Sequence, residues 1–186
     1  NTTIVFYYTG DQVPEHVYMA GYYQGPSNDV AVSWKDNQAG LTELFSTTDA
    51  RARSVFVYAG DIYVAGFYTN MSGNKAAGYW KNGVLTDLYT DTVNNARASS
   101  IFVDATGVYV AGYYNDGSYN KACYWKDGPL TPDMIVYTAA ASEATGIYVS
   151  DGNVYVSGFY NNGANDASCY WLNNFGGLTN LYTTAY

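Results

Sequence analysis

Positive charge is scarce in this chain: 8 Lys plus Arg stand against 16 Asp plus Glu in 186 residues, a net charge of −8. Such a surface repels a phosphate backbone, so nucleic acid is excluded as a partner. Histidine occurs once, as His16, and cysteine twice, as Cys123 and Cys169. A zinc site needs more nitrogen and sulfur ligands close together than this, and neither a metal nor another cofactor is expected. No nucleophile elbow, phosphate-binding loop or metal-binding run is present. The expectation is therefore that the chain is not an enzyme, with a pair of converging carboxylates as the open enzymatic alternative. No apolar run approaches the length of a membrane-spanning helix, and membrane insertion is not expected. The chain starts at Asn1 rather than Met, and its few lysines and 22 tyrosines suit a secreted or cell-surface protein.

What the sequence does contain is a fourfold repeat. Trp34, Trp80, Trp125 and Trp171 stand 46, 45 and 46 residues apart. Each unit opens with an apolar segment, of which Ile62-Tyr63-Val64-Ala65-Gly66 and Val108-Tyr109-Val110-Ala111-Gly112 are examples. An aromatic pair follows, then a loop rich in Asn, Asp and Gly that cannot continue a strand. A second segment carries the tryptophan and closes on Asn82-Gly83 or Asp127-Gly128, both strong hairpin signals. A return strand runs from Leu41 to Phe45, Leu85 to Tyr89 and Leu178 to Tyr182, and the third copy is stretched by an insertion around Pro132. Val55-Phe56-Val57, Ile101-Phe102-Val103 and Ile147-Tyr148-Val149 supply a strand ahead of each later unit.

Four short strands and their turns fill a unit of this length and leave no room for an ordinary helix. The period predicts an all-β chain, a β-propeller of four roughly 46-residue, four-stranded blades forming one domain over residues 1–186. The blades fall at about 1–48, 49–93, 94–139 and 140–186. A β-solenoid or a sandwich of hairpins is the alternative. In strand order A to D, the tryptophan lies on strand C, where packing between sheets is its expected use and exposure as a sugar-stacking platform the alternative. Cys123 and Cys169 occupy equivalent places in adjacent units, too far apart to bridge, and are expected to be buried.

The repeat Val-Tyr-Val-Ala-Gly-Tyr-Tyr, then Ala-Cys-Tyr-Trp-Lys-Asp-Gly, then Leu-Thr resembles the blade repeats of secreted and surface bacterial β-propellers, over nearly the whole chain. The resemblance implies binding or scaffold roles and carries no catalytic residues. It also implies that the B–C loops and the D–A connections share one face.

On that face an asparagine recurs before strand C, as Asn28, Asn74, Asn120 and Asn165. With Tyr23, Tyr68, Tyr114 and Tyr160 these amides predict four equivalent pockets for hydroxyl-rich ligands, with glycans as the partners. Capping of the turn by the asparagine's own side chain is the competing reading. Arg51, Arg97 and Glu143 fall at the axis, where an acidic sugar is one ligand for the arginines and ion pairs with Asp49 or Asp91 are the other use. The apolar run Ile4, Val5, Phe6, Tyr7 and Tyr8 is either the first A strand or a strand donated to another copy. Two functions follow from these features: a multivalent glycan-binding module, or a building block of an extracellular assembly whose partners are other copies of itself.

Overall fold

The computed structural model describes residues 2–6, 16–129, 140–173 and 178–181. Among them there is no helix, and the strands form four antiparallel sheets in chain order. The first holds β1 (Thr2–Phe6), β2 (Val17–Gln24), β3 (Asp29–Lys35) and β4 (Asn37–Phe45). The second holds β5 (Ala50–Tyr58), β6 (Asp61–Thr69), β7 (Lys75–Lys81) and β8 (Val84–Tyr89). The third holds β9 (Ala96–Asp104), β10 (Gly107–Asn115) and β11 (Asn120–Lys126). The fourth holds β12 (Ser142–Ser150), β13 (Asn153–Asn161), β14 (Asp166–Leu172) and the short β15 (Thr179–Asn180). Four sheets in series are consistent with four expected blades. The insertion around Pro132 lies outside the described residues, as do Tyr7, Tyr8 and Tyr182. Ile4, Val5 and Phe6 pair with β2 of their own chain, opposite Met19, Tyr18 and Val17. The run thus takes the A-strand place within its own sheet.

The sheets stack face to face, each on the next, and this hides both faces of the inner strands. In β6 and β10, five successive residues are buried, so the alternation that marks a half-exposed strand disappears. Each interface joins small and aromatic residues of one sheet to the tryptophan face of the next. Ala20, Ala31 and Leu44 meet Val55, Val64 and Trp80; Tyr63, Ala65 and Tyr79 meet Ile101, Val110 and Trp125; Tyr109, Ala111 and Tyr124 meet Val154, Val156 and Trp171. Trp80, Trp125 and Trp171 are fully or almost fully buried, as packing between sheets requires, whereas Trp34 is half-buried.

Two repeated devices set the geometry. The turn residue after each tryptophan strand has a positive φ, at Asp36, Asn82, Asp127 and Asn173, a conformation that Asn and Asp tolerate. Its side chain accepts the N–H of Val17, Ile62, Val108 or Val154, and its own N–H donates to the carbonyl of that same residue. This clasp explains why Asn or Asp recurs there. The second device is a bulge that breaks the register after Ala52, Ala98 and Ala144. It presses the carbonyl of Arg51, Arg97 or Glu143 against Gly66, Gly112 or Gly158, where a Cβ would collide with it. The recurrent glycine thereby fixes the three charged residues expected at the axis.

Candidate ligand-binding face

The connections between sheets clamp the B–C loops. Asp49 accepts the N–H of Asp29 through Oδ1 at 2.8 Å and that of Thr69 through its carbonyl at 2.7 Å. Asn95 does the same for Lys75 and Asn115, at 2.8 Å each. One side-chain acceptor and one carbonyl thus tie consecutive loops to a single rigid face.

Most of the polar groups expected to bind ligand are consumed by this clamping. The Asn28 amide donates to the carbonyls of Ser46 and Thr48, and that of Asn74 to Thr92. The Asn165 N–H donates to Asn162 Oδ1. Asn70, Asn115 and Asn161, at the head of each loop, accept N–H groups two residues on and so cap the turns. Asn120 does not precede its strand: it opens β11, pairs with Asn115 and donates to Glu143 Oε1 at 2.8 Å. The aromatic partners are engaged too. Tyr23 donates to Glu43, and Tyr68 donates to Asp87 Oδ1 at 2.7 Å. Tyr114 packs on Tyr89 with ring centres 5.3 Å apart, and Tyr160 packs against the core between the third and fourth sheets. The side-chain donors of Asn28, Asn74, Asn120, Tyr23 and Tyr68 are thus engaged with backbone, amide or carboxylate partners.

The equivalence fails most sharply beside the bulges. The first residue of strand C meets the bulge-side residue of the following sheet, and the three corners so formed differ in charge. At the first, Arg51 pairs with Asp29 through Nε at 2.7 Å and Nη2 at 2.6 Å, its guanidinium 4.4 Å from the Tyr22 ring centre. The partner is Asp29 rather than the expected Asp49 or Asp91. At the third, Asn120 bonds Glu143. At the second, both positions are cationic: Lys75 and Arg97. Lys75 Nζ lies 5.6 Å and the Arg97 guanidinium carbon 5.1 Å from the centre of the Phe67 ring. Burial and the charges of Arg97 and Arg51 hold the Lys75 ammonium below the usual lysine range, with Asp49 opposing them. The Nε of Arg97 is buried and finds no acceptor among the described residues. Beside the first corner lies an open polar recess of about 350 Å³, lined by Gln24, Ser27, Asn28, Asp29, Asp49 and Arg51 among others. Two cations and a recess can take a carboxylate together with hydroxyl groups. Asp29, Lys75 and Asn120 each stand five residues before their tryptophan, and the strand register keeps that alignment; the difference in charge between corners shows only once each is paired with the following sheet. Among the described residues no group of three or more His, Cys, Asp or Glu side chains is arranged for a metal.

No family model matches the chain, and no curated protein matches it. Among solved structures, it is similar to an alpha-L-arabinofuranosidase from Clostridium thermocellum at 14% identity, over 89% of this chain and 68% of that one, with a TM-score of 0.41. That protein is an enzyme, and the expectation that this chain is not one is corrected accordingly. A likeness of that size assigns no activity.

Proposed function

We propose that the four sheets are blades of a β-propeller, and that the chain is a glycan-binding module whose ligand carries an acidic group seated between Lys75 and Arg97. The observation that carries this reading is the contrast between corners. Where the fold needs only a bridge between sheets, it uses an ion pair or an amide–carboxylate bond. At Lys75 and Arg97 it holds two like charges together, in a chain with only 8 Lys plus Arg, and this arrangement gains from an anion. The recess of Gln24, Ser27 and Asp49 supplies hydroxyl-binding groups next to it. The site belongs to one corner, so the binding is not fourfold.

The test compares an oligogalacturonate with a neutral oligosaccharide of the same length, titrated into the protein calorimetrically. Binding of the uronate alone supports the reading, and equal binding of both, or of neither, removes it.

A further inference from the structure

We infer that the outer face of the fourth sheet docks the first sheet of a second copy of this chain, head to tail. Within the chain, each sheet presents one face that its successor covers. Tyr63 in the second sheet and Tyr109 in the third are 6% and 5% exposed, while their counterpart Tyr155 in the fourth is 38% exposed. Ala65 and Ala111 are fully buried, but Ser157 at the same place is exposed, and Ser168 likewise replaces the buried Ala77 and Ala122. An aromatic ladder joins the first strands of successive sheets, β5, β9 and β12, with Phe56 and Phe102 5.0 Å apart and Phe102 and Tyr148 5.1 Å apart. It ends on Tyr148, which is 58% exposed.

The occupant of this face is specified by the interfaces the chain already makes. Trp125 shares a core cluster with Tyr63, Ala65, Ala77 and Tyr79. The counterparts Tyr155, Ser157 and Tyr170 line a recess of about 310 Å³, which Ser100 of the third sheet borders. The matching knob is Trp34, opposite Met19 as Trp80 is opposite Val64, and it alone of the four tryptophans is only half-buried. In the strand register Val5 stands opposite Tyr18 as Phe56 stands opposite Tyr63. One chain thus carries both halves of its own repeated interface, at opposite ends. Such a contact is heterologous, so copies joined by it close into a ring or continue as a filament. The two serines leave the face wettable, which suits reversible association.

The experiment is light scattering on the full chain, on Ser157→Arg with Ser168→Arg, on Met19→Arg, and on a 1:1 mixture of the two variants. The serines are exposed, so the arginines leave the fold intact, as matching thermal unfolding checks. The expected result is association of the wild type, single chains for each variant, and a two-chain complex in the mixture, since each variant retains the half the other lacks. Wild-type chains that stay single at ~100 μM, or serine variants that associate as the wild type does, overturn the inference.

Discussion

Lys75 and Arg97 share the ring of Phe67, one ammonium and one guanidinium within 5.6 Å of the same centre. The quadrupole of the ring attracts both cations, but they repel each other, and burial adds to the cost for Lys75. At the corresponding corner Arg51 meets Asp29 and no such cost arises. A like-charge pair held by the fold fits a role in binding better than one in stability.

Lys75→Met therefore separates the two roles. It keeps the aliphatic stem over Phe67 and removes a desolvated charge. Unfolding by urea is expected to show unchanged or slightly higher stability, by less than about 1 kcal/mol. Uronate affinity is expected to fall roughly tenfold, about 1.4 kcal/mol. In the free wild type Lys75 loses its proton below the ordinary lysine pKa of 10.5, so affinity declines from a correspondingly lower pH as pH rises.

Gly112→Ala tests the bulge. A Cβ there would strike the Arg97 carbonyl and approach the Trp125 ring at 3.0 Å. Because the obstacle is backbone, relief requires the strand to move, and a loss of about 2–4 kcal/mol is expected in equilibrium unfolding. A loss below half a unit of that scale would show that the glycine is dispensable.

Alkaline pH acts through the tyrosines. Burial raises the phenol pKa of Tyr68, Tyr89, Tyr113 and Tyr114, and the carboxylate of Asp87 adds to it at Tyr68. Unfolded tyrosines ionise near 10 while these stay protonated in the fold, so stability is intact below that pH and falls as pH rises above it. Tyr68→Phe is expected to make the fall shallower, measured as unfolding midpoints against pH.

Thiol chemistry gives an independent check on the sheet interfaces. Cys123 and Cys169 are free and buried, and burial pushes the thiol of Cys169 up to about 12 and that of Cys123 well above its ordinary value. Neither is expected to react with a thiol reagent at neutral pH until the protein is unfolded. Stoichiometric labelling of the native chain would show that the third and fourth sheets pack less closely.

The spacing of the tryptophans, the glycine–aromatic signature and the Asn-Gly and Asp-Gly turns were enough to place the strands, since each follows from local rules. The binding corner was not readable in this way. Counted back from the tryptophans, Asn28, Asn74 and Asn165 stand six residues before and Asn120 five, so grouping the asparagines matched Asn120 with Asn74 where the register aligns it with Lys75 and Asp29. An amide in a loop also reads the same whether it awaits a ligand or holds the carbonyls of the connection to the next sheet, as Asn28 holds Ser46 and Thr48. The charge contrast between corners depends on pairing residues about twenty positions apart on neighbouring sheets, which no local pattern reveals.

The most direct test is a calorimetric titration of oligogalacturonate into the wild type and into Arg97→Met with Lys75→Met, at low and moderate salt. Wild-type binding that weakens with salt, and its loss in the double variant with folding unchanged, is the predicted result. Equal affinity of the two proteins would contradict the assignment of Lys75 and Arg97 as the anion site.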